Sequence, residues 1–138
     1  MAAFNKFNSF VENEAEKVHN LGADTLKVML TNTAPVATNT VYANLVDLTT
    51  SGGYTAGGTA ATITSSSQTS GTYKLVLADV VFTATTGFGP FRYAVLYNST
   101  ATNGELIGWW DYGSAVTLAA LETFTVDFDP TTGVLQVA

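Results

Sequence analysis

The sequence predicts a mainly β protein, an antiparallel β-sandwich (jelly-roll-like) or barrel with one N-terminal α-helix. Three observations carry this. Beyond Gly22 the apolar residues recur with a period of two, turn-forming clusters separate the apolar segments at regular spacing, and only the N-terminal segment repeats at helical intervals. Short alternating segments each bury one face, and a second sheet is the usual partner for that face.

The helix is expected over 4–21, "FNKFNSFVENEAEKVHNL", where Phe4, Phe7, Val11, Ala15 and Val18 fall on one stripe. Glu12, Glu14 and Glu16 lie off it, Lys17 and His19 fall in the last turn, where cations suit the helix dipole, and Gly22 is a good stop. His19 reads as a cap or a solvated residue.

A half-buried strand follows in "TLKVMLT", with Leu26, Val28 and Leu30 alternating against Thr25, Lys27, Met29 and Thr31. "NTAPVATNT" is a loop, "VYANLVDL" fits a short helix or a strand, and "SGGYTAGG" is punctuation. Further strands are expected in "TAATITS", "TYKLVLADVVFTA", "FRYAVLYN", "ELIGWWDY", "SAVTLA", "TFTVDFD" and "VLQVA". Their separators are "SSSQTSG", "TTGFGP", "STATNG" and "DPTTG", the last a turn with Pro130 at its second position. One domain over 1–138 is expected, with the helix at 4–21 and the sandwich at 25–138.

Composition narrows the function. Charged residues are 12% of the chain, about half the roughly 25% usual in soluble domains, and the net charge is −6. A surface so polar yet so uncharged is weakly protected against association and reads as one meant to be covered. Lys6, Lys17, Lys27, Lys74 and Arg92 are the only basic residues, and they are too scattered to neutralise a phosphate backbone, so no nucleic-acid partner is expected. Without cysteine there are neither disulfides nor thiolate metal sites. No apolar run approaches the ~20 residues of a membrane span. After Lys6 come acidic residues rather than an apolar run, so no secretion signal is expected, and the chain is expected to be made in the cytoplasm and used there or assembled there into something larger.

Reaction chemistry is hard to assemble from these residues. His19 is the only histidine, and no serine stands in a nucleophile-elbow context. "DFDPTTG" spaces Asp127 and Asp129 like the start of a calcium loop, but it lacks the glycine at the sixth position and the glutamate at the twelfth. Glu105, Asp111 and Glu122 supply carboxylates for a glycosidase-like pair, as in any acidic β protein. "GGYTAGG" lacks the lysine and helix of a phosphate loop and reads as a flexible turn or an extended arm. "NST" at Asn98 matches a glycosylation acceptor. No catalytic residue, cofactor or metal is assigned.

Two aromatic groups remain. In "LIGWWDYG" a strand would carry Leu106, Gly108, Trp110 and Tyr112 on one face and Glu105, Ile107, Trp109 and Asp111 on the other. Two carboxylates mark the second face as the wetter one, which places Trp110 in the core and Trp109 near the surface. There Trp109 would stack on a sugar or anchor a protein interface, unless a helix or loop covers it. Phe4, Phe7 and Phe10 crowd the start of the helix, either packing on the sandwich or docking on a neighbouring subunit.

The strings "AFNKFNSFVE", "LKVMLTNTAPVATNT", "GGYTAGG", "TFTVDF" and above all "GPFRYAVLYN" followed by "LIGWWDYG" resemble a group of small virion structural proteins of tailed bacteriophages. The similarity runs from Phe4 to about Val137. It implies a head decoration (cement) protein on the capsid surface that clamps neighbouring copies of the major capsid protein, gathers as a homotrimer, and needs no reaction chemistry. Candidate partner contacts are then Phe4, Phe7, Phe10, Tyr54 and Trp109. The alternatives are a tail or head appendage that binds host surface glycans, and an enzyme built on converging carboxylates.

Overall fold

A computed structural model describes residues 2–138. In chain order its elements are β1 (Asn5–Lys6), α1 (Ser9–Ala15), β2 (Leu26–Thr31), a 3-10 turn (Tyr42–Asn44), β3 (Thr59–Ala61), β4 (Ile63–Thr69), β5 (Thr72–Leu77), β6 (Val80–Thr83), β7 (Gly87–Asn98), β8 (Leu106–Ala119), β9 (Thr123–Val126) and β10 (Leu135–Val137). They form antiparallel sheets in the orders β1-β8-β7-β2-β3, β10-β5-β4 and β6-β9. The protein is mainly β with one short helix near its N-terminus, and the arrangement fits a sandwich.

One bent ribbon organises it. β7 and β8 pair from Tyr97 and Leu106 back to Gly87 and Ala119, and beyond a corner at 84–86 and 120–122 the ribbon continues as β6 with β9. At the corner Ala84 N donates to Glu122 O and Leu121 N donates to Ala84 O. The bend carries the ribbon out of the five-stranded sheet into the two-stranded β6–β9 sheet, the usual way strands change layers in a sandwich. Val80, Phe82, Phe88, Phe91, Ala94, Trp110, Leu118 and Val126 thereby enter one core with Leu26, Val28 and Leu30 of β2 and Leu75 and Leu77 of β5.

The "GGYTAGG" segment is built of turns and does not extend as an arm; it wedges between the ribbon corner and the edge of β2. Gly52 O accepts the amides of Thr85, Thr86 and Gly87. A Cβ on Gly52 would stand 1.7 Å from Gly87 O, and one on Gly58 would stand 1.8 Å from Val28 O. Backbone approaches this close admit only glycine, and both residues also have positive φ.

The five-stranded sheet is covered on its other face as well. Phe7, Met29, Val95, Tyr97 and Leu106 form a second cluster there, under Tyr42, Leu45 and Trp109. β2 is therefore buried on both faces, Met29 and Thr31 included, rather than half-buried. "VYANLVDL" supplies part of the cover as the 3-10 turn, with Val41 bridged to Glu105.

Four other sequence expectations change. Residues 65–69 of "SSSQTSG" are strand, closed by a two-residue turn in which Ser70 and Gly71 both have positive φ, the geometry favoured in tight hairpins. "TTGFGP" contributes the first residues of β7, and "SAVTLA" merges with "LIGWWDY" into β8. The helix shrinks from 4–21 to Ser9–Ala15, because Asn5 and Lys6 pair with Trp109 and Gly108 of β8. That pairing resets the helical phase, so Phe10 is buried and Val11 is exposed. A helix this short is marginal alone; burial of Phe10, on the order of 2 kcal/mol, holds it to the sheet.

Candidate functional site

The aromatic candidates are mostly spent inside the chain. Phe7, Phe10 and Tyr54 are buried, and Phe4 is half-buried against Trp110. Trp109 is half-buried, its ring centroid 4.6 Å from that of Phe7. The covering of Trp109 is thus the N-terminal segment itself. Ile107, expected on the wetter face, is fully buried in the main core, whereas Leu106 joins Trp109 in the second cluster. The cause is an irregularity in the ladder: Leu96 pairs with Gly108 but Tyr97 with Leu106, so the alternation slips by one residue at Ile107.

Tyr54 serves a polar strut. Its hydroxyl and that of Tyr42 both donate to Asp47, which also accepts the Gly57 amide, while the Tyr97 hydroxyl donates to Gly57 O. Burial first, then the neighbouring Asp47 carboxylate, raises the ionisation of Tyr42 and Tyr54 far above the ordinary tyrosine range, and Tyr97 is pushed up to about 12. These are neutral donors holding the loop over the sheet.

The three carboxylates considered for a glycosidase-like pair are engaged separately. Asp111 pairs with the Arg92 guanidinium through two bonds, and that pairing lowers its pKa. Glu105 accepts from Asn103 N and Glu122 from Ala119 N. Asp127 is exposed, while Asp129 accepts the amides of Thr131 and Thr132 as the cap of its turn. Among the described residues no group of three or more metal-ligating side chains comes together.

A site that the sequence reading passed over lies between the end of α1, the loop to β2, and the β4–β5 hairpin. Glu14, Lys17, His19, Asp24, Ser66 and Tyr73 help line a cleft of about 510 Å³ there. Behind His19 and Asp24 lies Asn98, fully buried at the end of β7. The Asn98 side-chain amide donates to Asp24 Oδ2 at 2.7 Å and to His19 Nδ1 at 3.0 Å. Asn98 Oδ1 accepts the amides of Thr100 and Ala101, so the whole side chain is committed and offers nothing to a glycan.

His19 is neither a cap nor solvated. It is 4% exposed, packed face to face on Phe10, and drawn in because α1 stops at Ala15 and Lys17 turns the chain with φ 67°. Since Nδ1 accepts from Asn98, the imidazole carries its proton on Nε2, and that buried N–H has no partner. Burial lowers the His19 pKa, outweighing the opposite pull of Glu105 and Asp24. Glu14 Oε2 is likewise buried without a partner, and burial raises the Glu14 pKa, with Asp24 adding to it. Across the cleft the Ser66 and Tyr73 hydroxyls are hydrogen-bonded to each other at 2.8 Å.

Comparison with protein-family models, with curated proteins and with solved structures finds no match to this chain.

Proposed function

We propose that this chain is a virion structural protein of a tailed bacteriophage, a head decoration (cement) protein that binds the major capsid protein on the capsid surface as a homotrimer. The resemblance of nearly the whole chain to such proteins motivates the reading, and one feature of the fold supports it. Leu121, at the ribbon corner, is 81% exposed and holds φ 69°, a conformation that bulky side chains rarely adopt. Beside it, Val81, Thr83, Thr123 and Thr125 line up on the outer face of β6 and β9, all exposed and all uncharged. Interface cores are depleted of charge in the same way. An apolar knob beside such a face is suited to covering by a partner, and repetition over many copies multiplies a modest contact.

The contact is therefore moved from the N-terminal phenylalanines and "GGYTAGG", which the fold uses internally, to the corner. Co-sedimentation with empty head shells of the encoding phage tests it. Saturable binding at a fixed ratio to the major capsid protein, lost in Leu121→Asp and in Val81→Asp while both variants stay folded, is the expected result. A folded protein that ignores the shells at every concentration would overturn the reading.

A further inference from the structure

We propose that His19 is an acid-released latch: protonation breaks its bond to Asn98, turns the ring out into the neighbouring cleft, and frees residues 17–20 from the end of β7. The latch is a single bond. Among the described residues, every other hydrogen bond made by 17–20 stays within 13–24, to Asn13, Glu14, Gly22, Ala23 and Asp24. Only His19 Nδ1 reaches beyond, to the Asn98 amide at 3.0 Å. Lys17 starts the segment with a left-handed turn at φ 67°. Leu21, 4% exposed, anchors the far end in the main core, which confines the opening.

Asn98 does not adapt to a charged ring. Its Oδ1 accepts the amides of Thr100 and Ala101, and its Nδ2 donates to Asp24 Oδ2. Turning the amide over would set N–H against N–H and oxygen against carboxylate. The group that faces His19 is therefore always a donor. A neutral ring meets it with the lone pair of Nδ1, but an imidazolium carries N–H on both nitrogens, so no flip of the ring offers an acceptor.

The groups around the ring set the direction of escape. Glu14 approaches from α1, Lys17 and Asp24 from the connecting segment, Glu105 from the turn before β8, and Tyr73 from β5. Burial holds the His19 pKa below the ordinary 6.5, outweighing the pull of Glu105 and Asp24 toward the charged form. The cleft of about 510 Å³ beside the ring is lined by Glu14 and Asp24, with Lys17 the one cation opposing them. Charge that is disfavoured against Asn98 is thus favoured in the open position. The raised pKa of Glu14 withdraws one of these carboxylates at the acid end. The latch lies away from the ribbon corner and does not depend on the capsid reading.

Nuclear magnetic resonance of the full chain, isotopically labelled and titrated from about pH 8 down through the acid range, tests the latch. At neutral pH the ring is expected as the Nε2–H tautomer, in Overhauser contact with Phe10, on which it stacks. In one step below 6.5 the ring should take up a proton and lose that contact. Amides of 17–20 and 98–101 should move in the same step, while those of β2 and β8 hold their positions. For each unit by which the midpoint lies below 6.5, charge favours the open position about tenfold. His19→Gln, which does not titrate, should lose the step, and Glu14→Gln should keep it, which separates the histidine from its acidic neighbour. If His19→Gln does not fold, the titration of the parent still decides. A ring that titrates at 6.5 or above, keeps its Phe10 contact when charged, or stays neutral until the whole chain unfolds would overturn the proposal. Loss of the step in Glu14→Gln would overturn it as well.

Discussion

The Tyr54 hydroxyl occupies the place of a missing strand at Leu30. β3 pairs with β2 only from Leu26 to Val28, and two residues further on the Leu30 amide donates to the Tyr54 hydroxyl at 3.1 Å instead of to a neighbouring carbonyl. The same hydroxyl donates onward to Asp47. One side chain thus ends a sheet edge and anchors the covering loop.

Tyr54→Phe removes both bonds while keeping the ring. It strands the buried Leu30 amide and takes one of three donors from Asp47, so a loss of about 1–3 kcal/mol is expected. Urea denaturation checks this: the midpoint should fall with the slope unchanged, since the core volume is preserved.

Gly58→Ala and Gly71→Ala separate space from conformation. Both positions have positive φ, but a Cβ at Gly58 meets Val28 O at 1.8 Å, whereas one at Gly71 meets nothing within 4 Å. Gly71→Ala should cost about 1–2 kcal/mol, the strain of a left-handed alanine. Gly58→Ala must also push β2 or its own loop aside and should lower the thermal midpoint far more.

Acid should destabilise the fold through His19. Its pKa is lowered in the native state from the ordinary 6.5, so below that pH the unfolded chain takes up the proton first. The stabilisation by neutral His19 is complete above 6.5 and is lost as pH falls toward the native value. Glu14 works in the opposite sense: its pKa is raised from 4.5, so its contribution is present below 4.5 and is lost as pH rises through the native value. Unfolding midpoints of His19→Asn measured across this range should show a shallower acid slope than those of the parent, which identifies the histidine.

Leu121→Asn should leave the isolated protein as stable or up to about 1 kcal/mol more stable, because asparagine tolerates the left-handed region and solvent already surrounds the side chain. Thermal melting checks it. A fall in stability would mean that Leu121 is held for packing within the chain.

Much of the fold was legible because burial on one face writes itself into alternation. β10 and the turn at Asp129 follow their strings closely, and Phe124, Val126 and Phe128 point inward opposite exposed Asp127 as their spacing predicts, whereas "TYKLVLADVVFTA" breaks at 78–79 into β5 and β6, which lie in different sheets. What was illegible depended on partners distant in sequence. Nothing within 4–21 shows that Asn5 and Lys6 will pair with β8, and without that pairing the phenylalanines read as one helix. The slip at Ile107 needs the register of β7 against β8, which a single strand does not carry.

The cleft was hidden for the same reason. Glu14, His19 and Asp24 are close in sequence, but Asn98, Ser66 and Tyr73 come from three later strands, and His19 matters only once Asn98 fixes its tautomer. A lone histidine followed by an aspartate five residues on carried too weak a signal. "NST" drew attention to Asn98 for a modification that its burial excludes.

The bent ribbon also dictates an order of events. Its rungs lie progressively further apart in sequence from the turn at 99–105 outward, so loop-closure entropy favours closing the Asn98 end before the β6–β9 end. β2 waits for that hairpin, and β1, whose partners lie about a hundred residues later, is added once β8 exists. Chains dominated by such non-local pairing fold in milliseconds to seconds rather than microseconds. During synthesis the phenylalanines of the first ten residues therefore emerge long before the surface that receives them, and the interval in which they need shelter is set by the time taken to make β8.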